Sequence, residues 1–368
     1  MRFATYNASL NRFDQGDLLA DLLEVDDGVP SGSNAEVIIE IIEIIEIIDA
    51  DVLLVNEVDF DEDAAALFAE LTGYPHHFVA PSNTGIPSGF DLNNSGTVGG
   101  PDDAFGFGFF PGQFGMLVLS RFPIGDTRTF QHFLWKDMPG ALLLDDPATP
   151  EPADWYSNDE LEVFRLSSKS HWDVEIELSD NRSVHFLVSH PTPPVFDGPE
   201  DGNATRNHDE IRFWADDASP SRSGYIYDDE GAGGGLAPGA PFVIAGDENS
   251  DPRDGDSIPG SAQLLLEHPR VNTKVTPSSE GAVEAAQLQS GANDTHLSDP
   301  AHDTADFSDT APGNLRADYV LPSKELRIVD AGVFWPVSSD PLSALTGTFP
   351  FPSSDHRPVW VDLWVPGV

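Results

Sequence analysis

The sequence predicts an α/β fold built in layers, on three observations. Its opening 72 residues alternate strand, helix, strand, helix, the order that stacks helices on a sheet. Short apolar runs of buried-strand length then recur to the C-terminal end, several bounded by a polar residue. Finally, 39% hydrophobic and 10% aromatic residues in a chain of 368 suffice for a sizeable core.

Arg2–Asn7 reads as the first strand. Ser33-Asn34-Ala35-Glu36 has the form of a capping box ahead of a helix reaching about Ile48, whose Ile pairs form an apolar stripe with Glu40, Glu43 and Glu46 toward solvent. Asp51–Val58 is apolar enough for a buried strand, and Asp61–Thr72 reads as a helix. Residues 82–115, rich in Gly, Asn, Asp and Phe, read as a long ordered loop, followed by a strand at Gly115–Ser120 and a Pro- and Asp-rich excursion over 136–160. Two strands, Asp173–Leu178 and Ser183–Ser189, flank a turn at Asp180-Asn181. A helix is expected from Asn207 to Asp216, a Gly/Pro-rich loop over 219–240, a strand at Pro241–Ala245 and a helix at Gly260–Glu267. Residues 276–314 are poor in large apolar side chains and read as irregular. Arg316–Leu321, Ile328–Val333 and Pro358–Val365 close the chain as strands. With no internal repeat and no clean linker, one domain spanning 1–368 with long loops (about 82–114, 136–160, 219–240 and 276–314) is the expected organisation.

Charge is the strongest compositional signal. Asp and Glu total 63 against 18 Lys and Arg, a formal net charge of −45. Such a chain repels itself at ordinary ionic strength, whereas at molar salt the screening length falls to about 3 Å and the repulsion is mostly lost. The acids are dispersed among Trp, Phe and branched aliphatics, so the composition reads as adaptation to high salt rather than disorder. No apolar run approaches the roughly 20 residues needed to span a bilayer. The absence of cysteine excludes disulfides, thiolate metal sites and a Cys nucleophile. Met1-Arg2-Phe3 runs straight into a strand with no secretory signal, which fits either a cytoplasmic protein or, as expected here, an exported one whose leader is absent from this sequence.

Polar residues cluster at the ends of the apolar strands, where α/β sheets carry their sites. They are Asn7; Asn56-Glu57; Ser189-His190-Pro191; Gly246-Asp247-Glu248-Asn249; Asp318 in Arg-Ala-Asp-Tyr-Val; and Ser354-Asp355-His356. Any one is as consistent with a turn or loop-edge residue. Together, as TYN, NE, SHP, GDxN, DYV and SDH in that order over residues 5 to 356, they resemble the endonuclease/exonuclease/phosphatase superfamily of deoxyribonuclease-like, metal-dependent phosphoesterases. The resemblance implies a four-layer α/β sandwich, two packed mixed β-sheets flanked by helices. It implies hydrolysis of phosphoester bonds with Mg²⁺ or Mn²⁺, a hard cation suiting few carboxylates and phosphate oxygens. It further implies Glu57 as principal metal ligand, with Asn7 beside it and Asp355 nearby. Asp247 would orient and deprotonate water and Asn249 position water or phosphate. His356, oriented by Asp318, would contact the phosphoryl oxygens, and His190 would serve as general acid or phosphate contact. Two departures bear on substrate: Asn56 replaces the usual Gln, and Glu248, the third residue of GDxN, puts a charge at the expected rim. Arg206 and Asn207, at the expected start of a helix, are candidate phosphate contacts or solvated helix residues; Lys169 and His171 are further candidates to face the site.

Asp91–Asp102 also fits a twelve-residue calcium loop. Oxygen ligands fall at Asp91, Asn93 and Ser95, Gly96 stands at the sharp turn, Thr97 offers its carbonyl and Asp102 closes the loop in a manner similar to dockerin-type loops. The alternative is a hydrated Asn/Gly turn. Phe105, Phe107, Phe109, Phe110 and Phe114 are expected to pack this loop onto the body.

Function then divides three ways: a nuclease or phosphodiesterase, which leads; a phosphomonoesterase acting on small organic phosphates; or a calcium-stabilised binding module. The substrate partner is accordingly a nucleic acid or a small organic phosphate, with no membrane span and no protein partner indicated. Metalloprotease and serine-hydrolase chemistry lack their HExxH and GxSxG signatures.

Overall fold

The computed structural model describes residues 1–30, 32–178, 182–196 and 198–365. In chain order the elements are β1 (Arg2–Asn7), α1 (Asp17–Asp26), α2 (Ser33–Ile48), β2 (Val52–Val58), α3 (Glu62–Leu71), β3 (His76–Phe78), β4 (Gly115–Ser120), β5 (Ile124–Thr129), α4 (Asn158–Leu161), β6 (His171–Leu178) and β7 (Arg182–Ser189). There follow α5 (Gly202–Asp217), β8 (Phe242–Asp247), α6 (Ser261–Leu266), α7 (Glu280–Gln289), β9 (Ala305–Asp306), β10 (Asn314–Leu315), β11 (Asp318–Pro322), β12 (Arg327–Val333), α8 (Ser343–Thr346) and β13 (Val359–Trp364). The expected turn at Asp180-Asn181 lies outside the described residues. No helix among them is long and apolar enough to cross a membrane.

The strands form a six-stranded sheet, β12-β13-β1-β2-β4-β3, a five-stranded sheet, β11-β8-β7-β6-β5, and a small β10-β9 ladder. Strand side chains alternate between faces, and that alternation makes the layers. Phe3, Val52, Leu54, Met116 and Val118 of the first sheet meet Trp172, Val174, Phe186, Val188, Val243 and Ala245 of the second. The opposite face of the first sheet, with Ala4, Tyr6, Leu53 and Val55, packs on Leu18 and Leu22 of α1, the Ile stripe of α2 and Phe68 of α3. The opposite face of the second, with Leu187, Phe242, Ile244 and Tyr319, packs on Ile211, Phe213 and Trp214 of α5. This is the four-layer α/β sandwich that the resemblance implies. Within α2, Ile38, Ile41, Ile44, Ile45 and Ile48 are buried, each worth on the order of 2 kcal/mol of removed apolar surface.

The structure corrects several expectations. The N-cap of α2 is Gly32, without a side-chain cap, and Ser33 is already helical, so the capping box does not form. β6 begins at His171 and α5 at Gly202, which puts Arg206 and Asn207 inside the helix. Helix α1 and strands β3 and β5 go beyond the sequence reading. The segment 276–314, read as irregular, contains α7, capped by Ser279, whose side chain accepts the Ala282 N–H. Its buried face is only Gly281, Ala282 and Ala286, too small to show as an apolar period; a Cβ on Gly281 would sit 1.9 Å from the Trp335 carbonyl oxygen, so glycine permits the close approach.

Strand direction gathers the polar ends. β1 and β2 run parallel with Asn7 opposite Asn56. β7 and β8 run parallel with Ser189 opposite Gly246. β11 runs antiparallel to β8 and starts with Asp318 opposite Asp247. β13 is antiparallel to β1 with Val359 opposite Thr5, so Ser354–His356 arrive at the end of β1 that carries Asn7.

Candidate active site

On each central strand the inward stripe, Thr5 apart, is apolar until its last position at this end. Phe3 and Thr5 lead to Asn7; Val52 and Leu54 to Asn56; Val243 and Ala245 to Asp247; Val184, Phe186 and Val188 to His190. On β11, Val320 is preceded by Asp318. The same period that builds the inner core therefore places a polar floor across its end. Asn7, Asn56, His190, Asp247 and Asp318 are all buried.

Asp247 is the centre. Its Oδ2 accepts a hydrogen bond from Asn7 Nδ2 at 3.0 Å and lies 3.4 Å from His190 Nε2 and 3.7 Å from His356 Nε2. Its Oδ1 accepts the Asn249 N–H at 3.0 Å. His356 Nδ1 faces Asp318 Oδ2 at 2.8 Å, and the Thr304 hydroxyl donates to that same oxygen at 2.8 Å while accepting the Ala317 and Asp318 N–H groups. Ser354 closes the ring, its hydroxyl donating to the Asn7 carbonyl and accepting the His356 N–H.

Two backbone positions carry strain that aims side chains. Glu57 sits at a bulge between Asn56 and Val58 in the β2–β4 ladder with φ of 61°, and Asn249 has φ of 51°. A bulge re-aims the extra residue, and left-handed non-glycine residues held by their surroundings concentrate at functional sites.

The electrostatics separate the two histidines. Burial pulls the His356 imidazole down, but Asp318 and Asp247 outweigh it and raise its pKa well above the usual value. Burial, then Lys169 and His356, hold His190 well below it. Burial, opposed by His356 and reinforced by Asp318, pushes Asp247 up to about 7. Burial likewise raises Glu57, opposed by the neighbouring Asn7 side chain and reinforced by Asp355.

A hard cation fits this donor set. Glu57 and Asp355 are two mutually repelling carboxylates, and among the described residues neither lies within ion-pair distance of a Lys or Arg, although Lys169 and His356 act on Glu57 from farther off. Ligand atoms of Asp247, Asp318 and His356 also lie within 4.8 Å of one another and could hold a cation. In that trio, however, His356 Nδ1 and Asp318 Oδ2 are already paired with each other at 2.8 Å, which leaves Glu57 and Asp355, beside Asn7, as residues that could hold a cation.

Other expectations fall elsewhere. Arg206 is built into the fold: its guanidinium donates to the Leu166, Phe105 and Arg165 carbonyls and lies over the Phe164 ring. Asn207 Nδ2 donates to the Thr192 and Glu248 carbonyls beneath the site. His171 bonds Ser167 and the Glu210 carbonyl and packs on Phe213 and Trp214, away from the floor. Glu248 is not at the rim; it is buried on the helix side, accepting from Ser189, and burial pushes it up to about 8.

The loop expected to bind calcium is knit by its own side chains. Asp91 is satisfied by the Ser95 and Gly96 N–H groups, and Asn93 accepts the same Ser95 N–H. Asp102 is exposed. The carboxylate that turns inward is Asp103, taken by the Leu92 and Gly99 N–H groups. Phe105 packs as expected, but Phe107 and Phe109 are half exposed or more. Sequence reasoning missed Thr304 and Glu210, neither of which lies in a motif.

The sequence matches the Endonuclease/Exonuclease/phosphatase family over residues 4–356. Among curated proteins no sequence match emerges. Among solved structures the chain is similar to an endonuclease/exonuclease/phosphatase from Beutenbergia cavernae DSM 12333, with 18% identity and a TM-score of 0.53 over 100% of this chain and 72% of that one. It is also similar to the catalytic domain of human Nocturnin with bound sulfate (15% identity, TM-score 0.48, 99% and 93% covered). A third likeness is to a mannosyl-6-phosphatase of Bacteroides thetaiotaomicron VPI-5482 (11%, 0.45, 99% and 100%). The first of these supports the fold.

Proposed function

We propose, from the premise that the chain belongs to the endonuclease/exonuclease/phosphatase family and is therefore a phosphoric ester hydrolase, that it cleaves a small organic phosphate ester by attack of a water held at Asp247. The observation that carries this reading is the convergence of Asn7, His190 and His356 on one Asp247 oxygen, with His356 locked to Asp318.

Each residue has a task that follows from its surroundings. Asp247, near neutrality, takes the proton of the attacking water, and the Asn249 side chain, which donates to the Pro191 carbonyl, borders the same space. His356, held protonated through Nδ1, offers its Nε2–H to a non-bridging phosphoryl oxygen. His190 is neutral, with Nε2 3.4 Å from Asp247 Oδ2, so the proton that Asp247 takes from the water can pass through His190 to the leaving oxygen as its bond to phosphorus breaks. A Mg²⁺ or Mn²⁺ bound at Glu57 and Asp355 would neutralise phosphoryl charge and stabilise the leaving group.

The small-substrate reading rests on how the arginines are used. Polynucleotide binding needs several cations free to meet phosphates. Here Arg12 pairs with Asp21, Arg165 with Asn83, Arg206 with three carbonyls and Arg357 with Asp306, while Arg316 lies over Tyr319. Together with a net charge of −45, this favours a small ester over a long polyanion and places the nuclease reading second. The same charge supports a high-salt setting, for which we propose an extracytoplasmic location. The test is hydrolysis in molar salt with Mg²⁺ of p-nitrophenyl phosphate, bis-p-nitrophenyl phosphate and plasmid DNA, with Asp247→Ala as control. Turnover of a small ester, lost in the variant, is expected; preference for plasmid DNA would restore the nuclease reading, and silence on all three would sink both.

A further inference from the structure

Lys169 is 6% exposed, yet its ammonium has neither a hydrogen bond nor an ion pair among the described residues. It is one of only four lysines in the chain. An isolated buried ammonium is costly and persists only where something compensates it. Its electrostatic neighbours are Glu210, Glu57 and Asp247, and it acts in turn on His190.

Its backbone is held with unusual firmness. Asn83, itself fully buried, donates its N–H to the Lys169 carbonyl at 2.8 Å and its side-chain amide to the Ser167 carbonyl at 2.8 Å. Glu210 of α5 accepts the Ser168 N–H on Oε1 and the Thr192 N–H on Oε2, both at 2.6 Å. One carboxylate thus ties the turn carrying Lys169 to the segment just after His190. On the far side Gly106 leaves no slack: a Cβ there would stand 1.8 Å from the Ser168 carbonyl oxygen. The backbone of a buried cation is thereby fixed next to the segment that follows His190, and its charge is felt by Glu57, Asp247 and His190.

We propose that Lys169 is the phosphate-binding cation of this site, its ammonium meeting a non-bridging oxygen of the scissile group, and that Glu210 is the positioning residue that sets it beside His190. The proposal rests on the phosphoester reading. It also gives that reading a specificity: one buried cation matches one phosphoryl group.

The competing role is that of a structural counter-ion for Glu57 and Glu210, and the two roles separate in binding. Inorganic phosphate is titrated calorimetrically into the full chain in molar salt with Mg²⁺, using wild type, Lys169→Met and Lys169→Arg, each checked by thermal melting. The Met variant should bind phosphate at least ~10-fold more weakly and show a raised KM with an unchanged or higher Tm, since a buried unpaired charge is gone. The Arg variant should recover most of the affinity. Unchanged phosphate affinity in Lys169→Met, or a lowered Tm with affinity intact, overturns the proposal. Glu210→Gln, which keeps one N–H acceptor, should weaken phosphate binding less than Lys169→Met; the reverse order would also overturn it. A chain that binds phosphate through Lys169 yet hydrolyses no ester would fail the proposed function alone, and an active chain whose phosphate affinity ignores residue 169 would fail this inference alone.

Discussion

Replacing Asp318 by Asn tests the proposed chemistry most directly, because it removes a charge while keeping a shape. Asp318 Oδ2 accepts from both Thr304 Oγ1 and His356 Nδ1 at 2.8 Å, and an amide oxygen in that position can accept both. The fold should therefore survive, with a stability change on the order of 1 kcal/mol, the worth of one altered hydrogen bond. The electrostatic consequence is larger. The His356 imidazole is held above its ordinary value against burial chiefly by Asp318. Without that charge burial prevails and the ring is neutral near pH 7. A protonated His356 is required on the falling, alkaline limb of the rate profile, so that limb should move to lower pH. Asp318 also raises Asp247 by like-charge repulsion, but the His356 charge lowers it more strongly, and the variant loses both, so the rising limb, where Asp247 must be ionised, should not move to lower pH. The alkaline limb closes on the acid one, the bell narrows, and its height should fall by ~10²–10⁴, the usual worth of a positioned acid–base group. Initial rates of p-nitrophenyl ester hydrolysis from pH 5 to 9 in molar salt with Mg²⁺ measure both effects. A kcat/KM within twofold of wild type, with neither limb displaced, would refute the dyad.

Glu57→Ala should abolish turnover with the melting transition retained, and chelation of the wild type should do the same until Mg²⁺ or Mn²⁺ is returned; turnover that ignores chelator would remove the metal from the mechanism. Glu248 holds a proton up to about pH 8 when folded but only to about 4.3 when unfolded, so folding stability should fall as pH rises through that window. Glu248→Gln should flatten the slope and melt higher than wild type above pH 8, and identical stability–pH curves would contradict the assigned burial. Transfer to dilute buffer should unfold the protein by self-repulsion of a chain of net charge −45; an unchanged cooperative melt there would exclude the high-salt adaptation.

How much of this was legible in the sequence depends on what carried the signal. The central strands were readable because their apolar runs face core on both sides, and the Ile stripe of α2 because large side chains recur at helical spacing. Helix α7 was not, since its buried face is glycine and alanine, and its contact with Trp335 depends on what is missing from the side chain. The short β3 and β5 owe their existence to ladder partners, His76–Phe78 on β4 and Ile124–Thr129 on β6, which local pattern does not contain. The loop at Asp91–Asp102 shows another limit: spacing does not tell that Asp103, next to the expected closing residue Asp102, is the carboxylate that turns inward to the Leu92 and Gly99 N–H groups.

The site itself divides by the same logic. Residues at strand ends were identifiable because period-two alternation fixes which of them face the inner layer. Thr304, Glu210 and the hold on Lys169 depend on loops and a helix brought in from far along the chain, with hydrogen bonds spanning 14 to 86 residues. Glu248 illustrates the rule by its apparent breach. As a charge inside the GDxN motif it suggested an altered substrate, but Asp247 faces the inner layer and its neighbour must face out. There Glu248 meets Ser189, whose hydroxyl also accepts the Trp214 indole N–H. The third residue of this motif therefore answers to the packing of α5 against the sheet, and a change at Glu248 should be read in stability before it is read in specificity.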